Sequence, residues 1–438
     1  MNQEFEQQMK DLLGNEYDAY MACLQQPPGR GFRINTLKGN ADHLFSCMDL
    51  SASPSPFADN GYYTQAAAGI GHTPEYMAGA FYMQEPSASS AVTVLAPKPG
   101  LKVLDLCAAP GSKSTQIGEK MNNQGLLVVN EINPQRARIL LENIERHGMT
   151  NTVVTNSDTK LIADTLQEFF DMVLCDAPCS GEGMMRKEQE AVSQWSPKLV
   201  ESCACLQKEI LSNAYRCLKP GGTLVYSTCT LNKTENENQV LSFLQEHPDM
   251  HMVDAGVSFG RAAFEKSHEI DKAIRIFPMD HGEGHFVAKM VKDGTARGYD
   301  LSVRQSDQIQ KSTIQAIHET LTYPYPYLFS YQGKVYGSVN PFYDFGRIRV
   351  LRQGVLLGEE KKGRFEFSHH FFMSTHASFK HCFEMNDAQC RSYMHGEQIT
   401  SEFEKGMVAM CYHGYVIGGA KSDGKVLKNR YPKAFRTR

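Results

Sequence analysis

Five short runs of buried-strand character recur between Lys102 and Tyr226, separated by stretches with helical periodicity. The runs are Lys102–Leu106, Leu126–Asn130, Thr152–Thr155, Asp171–Cys175 and Thr223–Tyr226, and the clearest helical patterns are Pro134–His147 and Leu199–Leu218. Apolar strands alternating with amphipathic helices call for a parallel sheet covered on both faces, because each crossover lays a helix across the sheet. The pattern predicts an α/β, Rossmann-like, doubly wound domain. A hairpin-like pair, Ile274–Pro278 and His285–Val291, closes it.

This unit is expected over residues 76–292. Before it, residues 1–75 mix short amphipathic helices with Pro/Ser/Gly-rich breaks; Phe5, Met9, Leu12 and Leu13 already sit at helical spacing. After it, a polar, aperiodic stretch places a linker at 293–312. Residues 313–438 hold short Tyr/Phe/Gly-rich strands, the pattern of one or two small α+β or barrel modules. The longest apolar runs are far too short to span a bilayer, and no signal peptide is apparent. An intracellular, cytoplasmic protein is expected.

Charge is unevenly placed. Residues 1–290 carry 24 Lys+Arg and 35 Asp+Glu, whereas residues 291–438 carry 21 and 14. The last eighteen residues hold Lys421, Lys425, Lys428, Arg430, Lys433, Arg436 and Arg438 against Asp423. A basic half joined to an acidic one is the electrostatic pattern of a nucleic-acid grip, although a solvated basic surface gives the same count. The twelve cysteines are scattered, with no paired C-x-x-C, and Cys203-x-Cys205 stands alone in a helical pattern. Neither a disulfide framework nor a metal site is expected.

The first strand runs directly into Cys107-Ala108-Ala109-Pro110-Gly111-Ser112-Lys113. A small-residue turn between a parallel strand and a helix lets a ligand reach the helix's free N–H groups. Neither G-x-G-x-x-G nor G-x-x-x-x-G-K-[ST] is present, which disfavours hydride transfer and phosphate cradling. Glu131, at the end of the second strand, is placed to accept hydrogen bonds from both ribose hydroxyls of a nucleoside cofactor. Asp158, past the third strand, is placed to meet an adenine amino group.

The fourth strand leads into Asp176-Ala-Pro-Cys179-Ser-Gly and the fifth into Ser227-Thr-Cys229-Thr. In a doubly wound sheet both loops emerge at the carboxyl edge, where ligands bind. Two cysteines there, near a carboxylate, form a candidate nucleophile and helper; a cysteine needs an electropositive neighbour to be a useful thiolate near pH 7. Lys113 and a cofactor sulfonium are the available sources of that field.

These segments resemble the RNA (cytosine-5)-methyltransferases of the Sun/nucleolar-protein family. The matching pieces are R-x-N-T-L-K at Arg33–Lys38, D-L-C-A-A-P-G-S-K at Asp105–Lys113, Glu131, D-A-P-C-S-G at Asp176–Gly181, S-T-C-T at Ser227–Thr230, and R-I-F-P…G-E-G-H-F at Arg275–Phe286. The basic ending at Gly424–Lys433 is similar to the C-terminal PUA-like module of RsmF-like small-subunit rRNA enzymes. The resemblance implies a class I fold and an S-adenosylmethionine site lined by Cys107–Lys113, Glu131, Asp158 and Asp176. It makes Cys229 the nucleophile and Cys179 the cysteine of product release, with Asp176 assisting catalysis. His285 stands where many relatives have an aromatic residue.

The implied substrate is RNA, with 16S rRNA or the small subunit favoured by the C-terminal likeness, and the protein is expected to act as a monomer. Arg30, Arg33, Lys38 and the basic C-terminal half are candidates to hold the RNA backbone. Tyr323, Tyr325, Tyr327 and Phe329 alternate in YPYPYLF and are read as core residues ahead of base-stacking ones. Three other readings remain: a DNA cytosine-5 methyltransferase, which would use the Pro-Cys cysteine and leave Cys229 unexplained; the same chemistry on tRNA; and an assembly or RNA-binding factor without turnover.

Overall fold

A computed structural model describes residues 2–65, 69–264, 269–296 and 298–436; Arg438 of the basic tail lies outside them. The five parallel strands form as Lys102–Asp105, Leu126–Asn130, Thr152–Thr155, Phe170–Asp176 and Leu218–Thr228. Their order in the sheet is third, second, first, fourth, fifth, so the chain reverses direction between the first and fourth strands. Each is buried on both faces, with Leu104, Val128, Val153, Val173 and Leu224 in one core and Val103, Val129, Leu174 and Val225 in the other. That two-sided burial is why the runs read as apolar without alternation.

The Leu218–Thr228 strand absorbs Lys219–Gly222: Phe170 pairs with Leu218 while Met172 pairs with Thr223, so residues 219–222 bulge from the ladder. The His285–Lys292 strand then adds antiparallel to it, and Ile274–Ile276 adds antiparallel to His285–Lys292. Helix Pro134–His147 forms over the predicted span. Asn133 caps it, accepting the N–H groups of Gln135 and Arg136, and Gly148 ends it at φ 74°. A Cβ on Gly148 would lie 2.1 Å from the Met373 carbonyl oxygen.

The flanking units are knitted into this sheet. Helix Gln3–Leu13 buries Phe5, Met9 and Leu13 and sets Phe5 edge-on to Trp195 at 5.4 Å. A four-stranded sheet orders Ala52–Pro54, Gly61–Thr64, Gly31–Ile34 and Phe81–Met83. Its last strand lies beyond the expected boundary at 75, because Gly31–Ile34 needs a second antiparallel partner. At the other edge Val350–Gln353, from the chain's last third, pairs antiparallel with Thr152–Thr155 and covers what would be an open strand.

Two further sheets follow: Tyr327–Tyr331, Lys334–Ser338, Val355–Lys361 and Arg364–Phe367, then five strands within Cys382–Asn429. The last module shares a core with the first residues of the chain, Phe32, Ile34 and Leu44 meeting Met394, Met410, Tyr415 and Ile417. The core role expected for the tyrosine run holds for only half of it. Tyr325 and Phe329 are buried, whereas Tyr323 and Tyr327 are exposed. Among the described residues no helix is long and apolar enough to cross a membrane.

Candidate active site

The turns that carry the motifs converge at the carboxyl edge of the parallel strands. The Ala108 N–H donates to the Asn130 carbonyl at 2.8 Å. Helix Pro134–His147 holds the next residues: Arg136 Nη2 donates to the Ala109 carbonyl at 2.7 Å and Asn143 Nδ2 to the Pro110 carbonyl at 2.8 Å. Gly111 turns the chain at φ 112°, and helix Ser112–Lys120 begins with its N–H groups open to the edge.

Behind the loop sits Asp105, fully buried. Its Oδ2 accepts from Ser114 Oγ at 2.6 Å, while Oδ1 has no partner among the described residues. Burial pushes its carboxyl up to about 7, against the Ser114 hydrogen bond. A buried, unpartnered carboxylate oxygen is costly unless a donor arrives, so the loop fits a ligand that brings a positive or N–H group. Glu131 is buried as well. One oxygen accepts the Asn133 N–H at 2.8 Å and the other lies 3.5 Å from Arg136, leaving lone pairs for hydroxyl donors. Asp158 is exposed and spends one oxygen capping helix Thr159–Thr165 through the Lys160 N–H at 2.7 Å.

Cys179 and Cys229 lie with their sulfurs 3.3 Å apart, and all twelve cysteines are free thiols. Beside them Lys113 Nζ is 2.8 Å from Asp176 Oδ2, and Ser227 Oγ donates to Asp176 Oδ1 at 2.7 Å. Burial opposes the Lys113 charge, but Asp176, then Cys229 and Asp105, override it and raise the ammonium above its ordinary value. Cys179 is held well up, first by its hydrogen bond with Cys229 and then by burial. Burial pushes the Cys107 thiol far up.

Several groups that support the site were not singled out from the sequence. Glu182 accepts the Leu231 and Asn232 N–H groups at 2.9 and 2.8 Å, fixing the chain after Cys229. Gly183 N–H donates to the Cys229 carbonyl at 2.9 Å. Glu235 and Glu237 are fully buried; Glu237 pairs with Arg275, which also donates to the Leu231 carbonyl. In the sequence these carboxylates belong to the polar run T-E-N-E-N, which looks like a solvated helix start.

Two expectations for RNA contact are corrected. Arg33 is 1% exposed and paired with Glu119; it donates to the Ser112 carbonyl at 2.9 Å and to Thr115 Oγ1 at 2.7 Å. Lys38 donates to the carbonyls of Ala78 and Arg146, and burial lowers its ammonium to about 7. Both are internal ties, because an inward-facing cation next to bare carbonyls or a carboxylate is satisfied there. Arg30, Lys421, Lys425, Lys428, Arg430 and Lys433 are exposed. His285 is buried, its Nε2 3.2 Å from Glu85.

A doubly wound sheet with a small-residue turn after the first strand and a buried carboxylate closing the second is the frame of a nucleoside-cofactor site, and the family matches make it that of a class I S-adenosylmethionine-dependent methyltransferase. The particular family follows from the whole chain. Models described as 16S rRNA methyltransferase RsmB/F, the N-terminal domain of RsmF, the RsmF first C-terminal domain and the RsmF PUA domain match residues 92–291, 1–86, 316–374 and 380–437. The chain is 31% identical to the ribosomal RNA small subunit methyltransferase F of Erwinia tasmaniensis, over 98% of this chain and 95% of that relative. It is 33% identical to the enzyme of the same name from Vibrio vulnificus, over 98% and 96%. The chain belongs to this RsmF family. A solved methyltransferase homolog from Pyrococcus horikoshii is 30% identical, with a TM-score of 0.59 over 67% of this chain and 95% of that one. NSun6 of the same organism, 22% identical with a TM-score of 0.61 over 67% and 99%, shares the fold.

Proposed function

We propose that the protein transfers a methyl group to carbon 5 of cytosine in RNA, with small-subunit rRNA as its substrate. The observation that carries this reading is the 3.3 Å contact of Cys179 with Cys229 beside the Lys113–Asp176 pair. A single nucleophile would explain one thiol at this edge; a reaction that must also release a covalent product explains two. The names of the relatives support rRNA, and the exposed cations of the last module supply charge for a phosphate backbone.

S-adenosylmethionine supplies the methyl as an electrophile on a sulfonium. The turn Cys107–Lys113 with Asp105 behind it would hold its amino-acid end, Glu131 the ribose, and Asp158 the adenine side, with Asp176 at the boundary with the target base. Cytosine carbon 5 is a weak nucleophile. The Cys229 thiolate adds at carbon 6, and the electron pair moved onto carbon 5 takes the methyl. Asp176 accepts from Lys113 and Ser227 at rest; on binding the base it would take or share a proton, hydrogen-bond the ring nitrogen and stabilise the charge that develops there. A base takes the proton from carbon 5, the electron pair left behind restores the 5,6 double bond, and Cys229 departs as thiolate, a stage that Cys179 assists. A stacked target would first be extruded at a cost of a few kcal/mol, less in a loop. On this reading the protein works as a monomer in the cytoplasm.

The test is transfer of labelled methyl to small subunits, free rRNA and tRNA, with Cys229→Ala as control. Label recovered as 5-methylcytosine in small-subunit rRNA and lost in the variant is expected. Label in tRNA refutes the substrate, and label that survives Cys229→Ala refutes the nucleophile. Cys179→Ala should accumulate a covalent protein–RNA adduct, Cys229→Ala none.

A further inference from the structure

The two thiols touch each other, are both partly buried, and belong to loops of the same chemistry. Their contact alone does not say which is the thiolate. What separates them is the charge on either side. On the Cys229 side the cation is Lys113, whose ammonium is electrostatically coupled to Cys229 as well as to Asp176. On the Cys179 side the charge is a carboxylate, Glu235, buried at the foot of both loops.

Glu235 is held by four donors. Its Oε2 accepts the Ser180 N–H at 3.0 Å and Gln207 Nε2 at 2.7 Å; its Oε1 accepts Asn232 Nδ2 at 2.7 Å and Ser180 Oγ. Ser180 follows Cys179 directly. Its hydroxyl also lies 2.8 Å from Thr230 Oγ1, and Thr230 follows Cys229; Asn232 Nδ2 reaches the same Thr230 oxygen at 3.1 Å. Thus one carboxylate binds both cysteine loops through adjacent residues. The Tyr226 hydroxyl donates to the Glu235 carbonyl at 2.7 Å and locks the clasp to the fifth strand. Burial raises the Glu235 carboxyl, and these hydrogen bonds oppose the rise. Two oxygens each receiving two donors are the bonding pattern of the ionised form.

We infer that Glu235 is a positioning residue that makes the two adjoining thiols unequal: it clamps their loops in contact and places its negative charge beneath Cys179, so that the thiolate forms at Cys229. This rests on the reading of Cys229 as nucleophile and supplies its physical cause. Among the described residues the charged and titratable groups around the pair include Lys113, Asp176, Glu235, Cys203 and Tyr226, with buried Glu182 bonded to the Leu231 and Asn232 N–H groups that follow Cys229. Glu235 is among the groups that hold the Cys179 thiol in its protonated form, and Tyr226 is itself pushed far up by burial and by these neighbours. Two ionisable groups in contact share their first proton loss, so an outside charge decides where it falls. A neutral Cys179 can then donate its S–H to the Cys229 sulfur and stand ready for the release stage.

The test is alkylation of the full chain with iodoacetamide across a pH series, read peptide by peptide, with exposed Cys205 and Cys382 as internal references. In the wild type Cys229 should react at lower pH than Cys179. In Glu235→Gln, Cys179 should gain reactivity at lower pH by about one unit, which is about tenfold in thiolate fraction at fixed pH. Glu235→Asp, which keeps the charge, should keep the wild-type order. The same Gln variant should lower kcat for methylation with KM for S-adenosylmethionine unchanged. Cys179 reacting first in the wild-type protein overturns the proposal with no variant needed. So does a Glu235→Gln protein that binds S-adenosylmethionine yet leaves the Cys179 profile unmoved. If the alkylation order holds but methylation proceeds without Cys229, the proposed function falls and the charge arrangement stands.

Discussion

Replacing Arg33 by methionine tests how the N-terminal segment serves the cofactor loop. Arg33 is 1% exposed, ion-paired with Glu119, and bonded to the Ser112 carbonyl, to Thr115 Oγ1 and, at 3.2 Å, to Gln84 Oε1. Ser112 opens the helix whose N-terminus faces the candidate cofactor site. Removing one member of a buried, hydrogen-bonded ion pair costs about 3–5 kcal/mol, because the other charge is left without compensation. Glu119 is that other charge. Burial already raises its carboxyl against the pull of Arg33, and without Arg33 it rises further above its unfolded value. A carboxyl raised on folding destabilises above its unfolded pKa and is relieved as pH falls through the folded one. The deficit of Arg33→Met should therefore narrow as pH is lowered. Arg33→Met/Glu119→Leu should recover much of it, since no buried charge remains. Urea denaturation of the wild type and both variants at two pH values measures this, and titration with S-adenosylmethionine should show weaker binding in the single variant. A single variant as stable as the wild type, or a double variant no more stable than Arg33→Met alone, refutes the reasoning.

Asp105 titrates near 7 in the folded protein because of its burial, above its unfolded value. Its ionisation therefore costs stability as pH rises through about 7, and Asp105→Asn should flatten that slope in the cofactor-free protein. The unpartnered Oδ1 should also make S-adenosylmethionine bind more tightly over the same rise, a dependence the variant loses; calorimetry at three pH values reads both. Neutralising the exposed Lys421, Lys425, Lys428 and Lys433 to glutamine should weaken RNA binding across sequences. The slope of log affinity against log salt should shrink by about 0.7 for each single-strand phosphate that is no longer neutralised, while binding of the methyl donor should not change.

How much was legible in the chain depended on how local the cause was. The parallel strands and the Pro134–His147 helix were readable because burial on two faces, an Asn cap, a Pro at the first helical position and a terminal Gly are written in neighbouring residues. Cys179, Cys229, Lys113, Glu131 and Asp176 were readable because each follows a strand, and strand ends of a doubly wound sheet converge by topology. Arg33 and Lys38 were misread as RNA contacts because their partners, Glu119 and the carbonyls of Ala78 and Arg146, lie 40 to 108 residues away. Glu235 passed unnoticed for the same reason: a carboxylate in a polar run looks solvated until Gln207 and Ser180 are seen to reach it.

The sequence by itself determined the class of fold, the edge of the sheet at which the motif loops gather and the residues that meet there, since strand period and motif order are properties of the chain. Only the tertiary structure decided which cations face inward, that the first and last modules share one core, that a strand from the final third of the chain completes the central sheet, and that one buried carboxylate ties the two thiol loops together. Those depend on distance in space between segments far apart in the chain, and burial changes what a charged side chain can do only once its partner is in place.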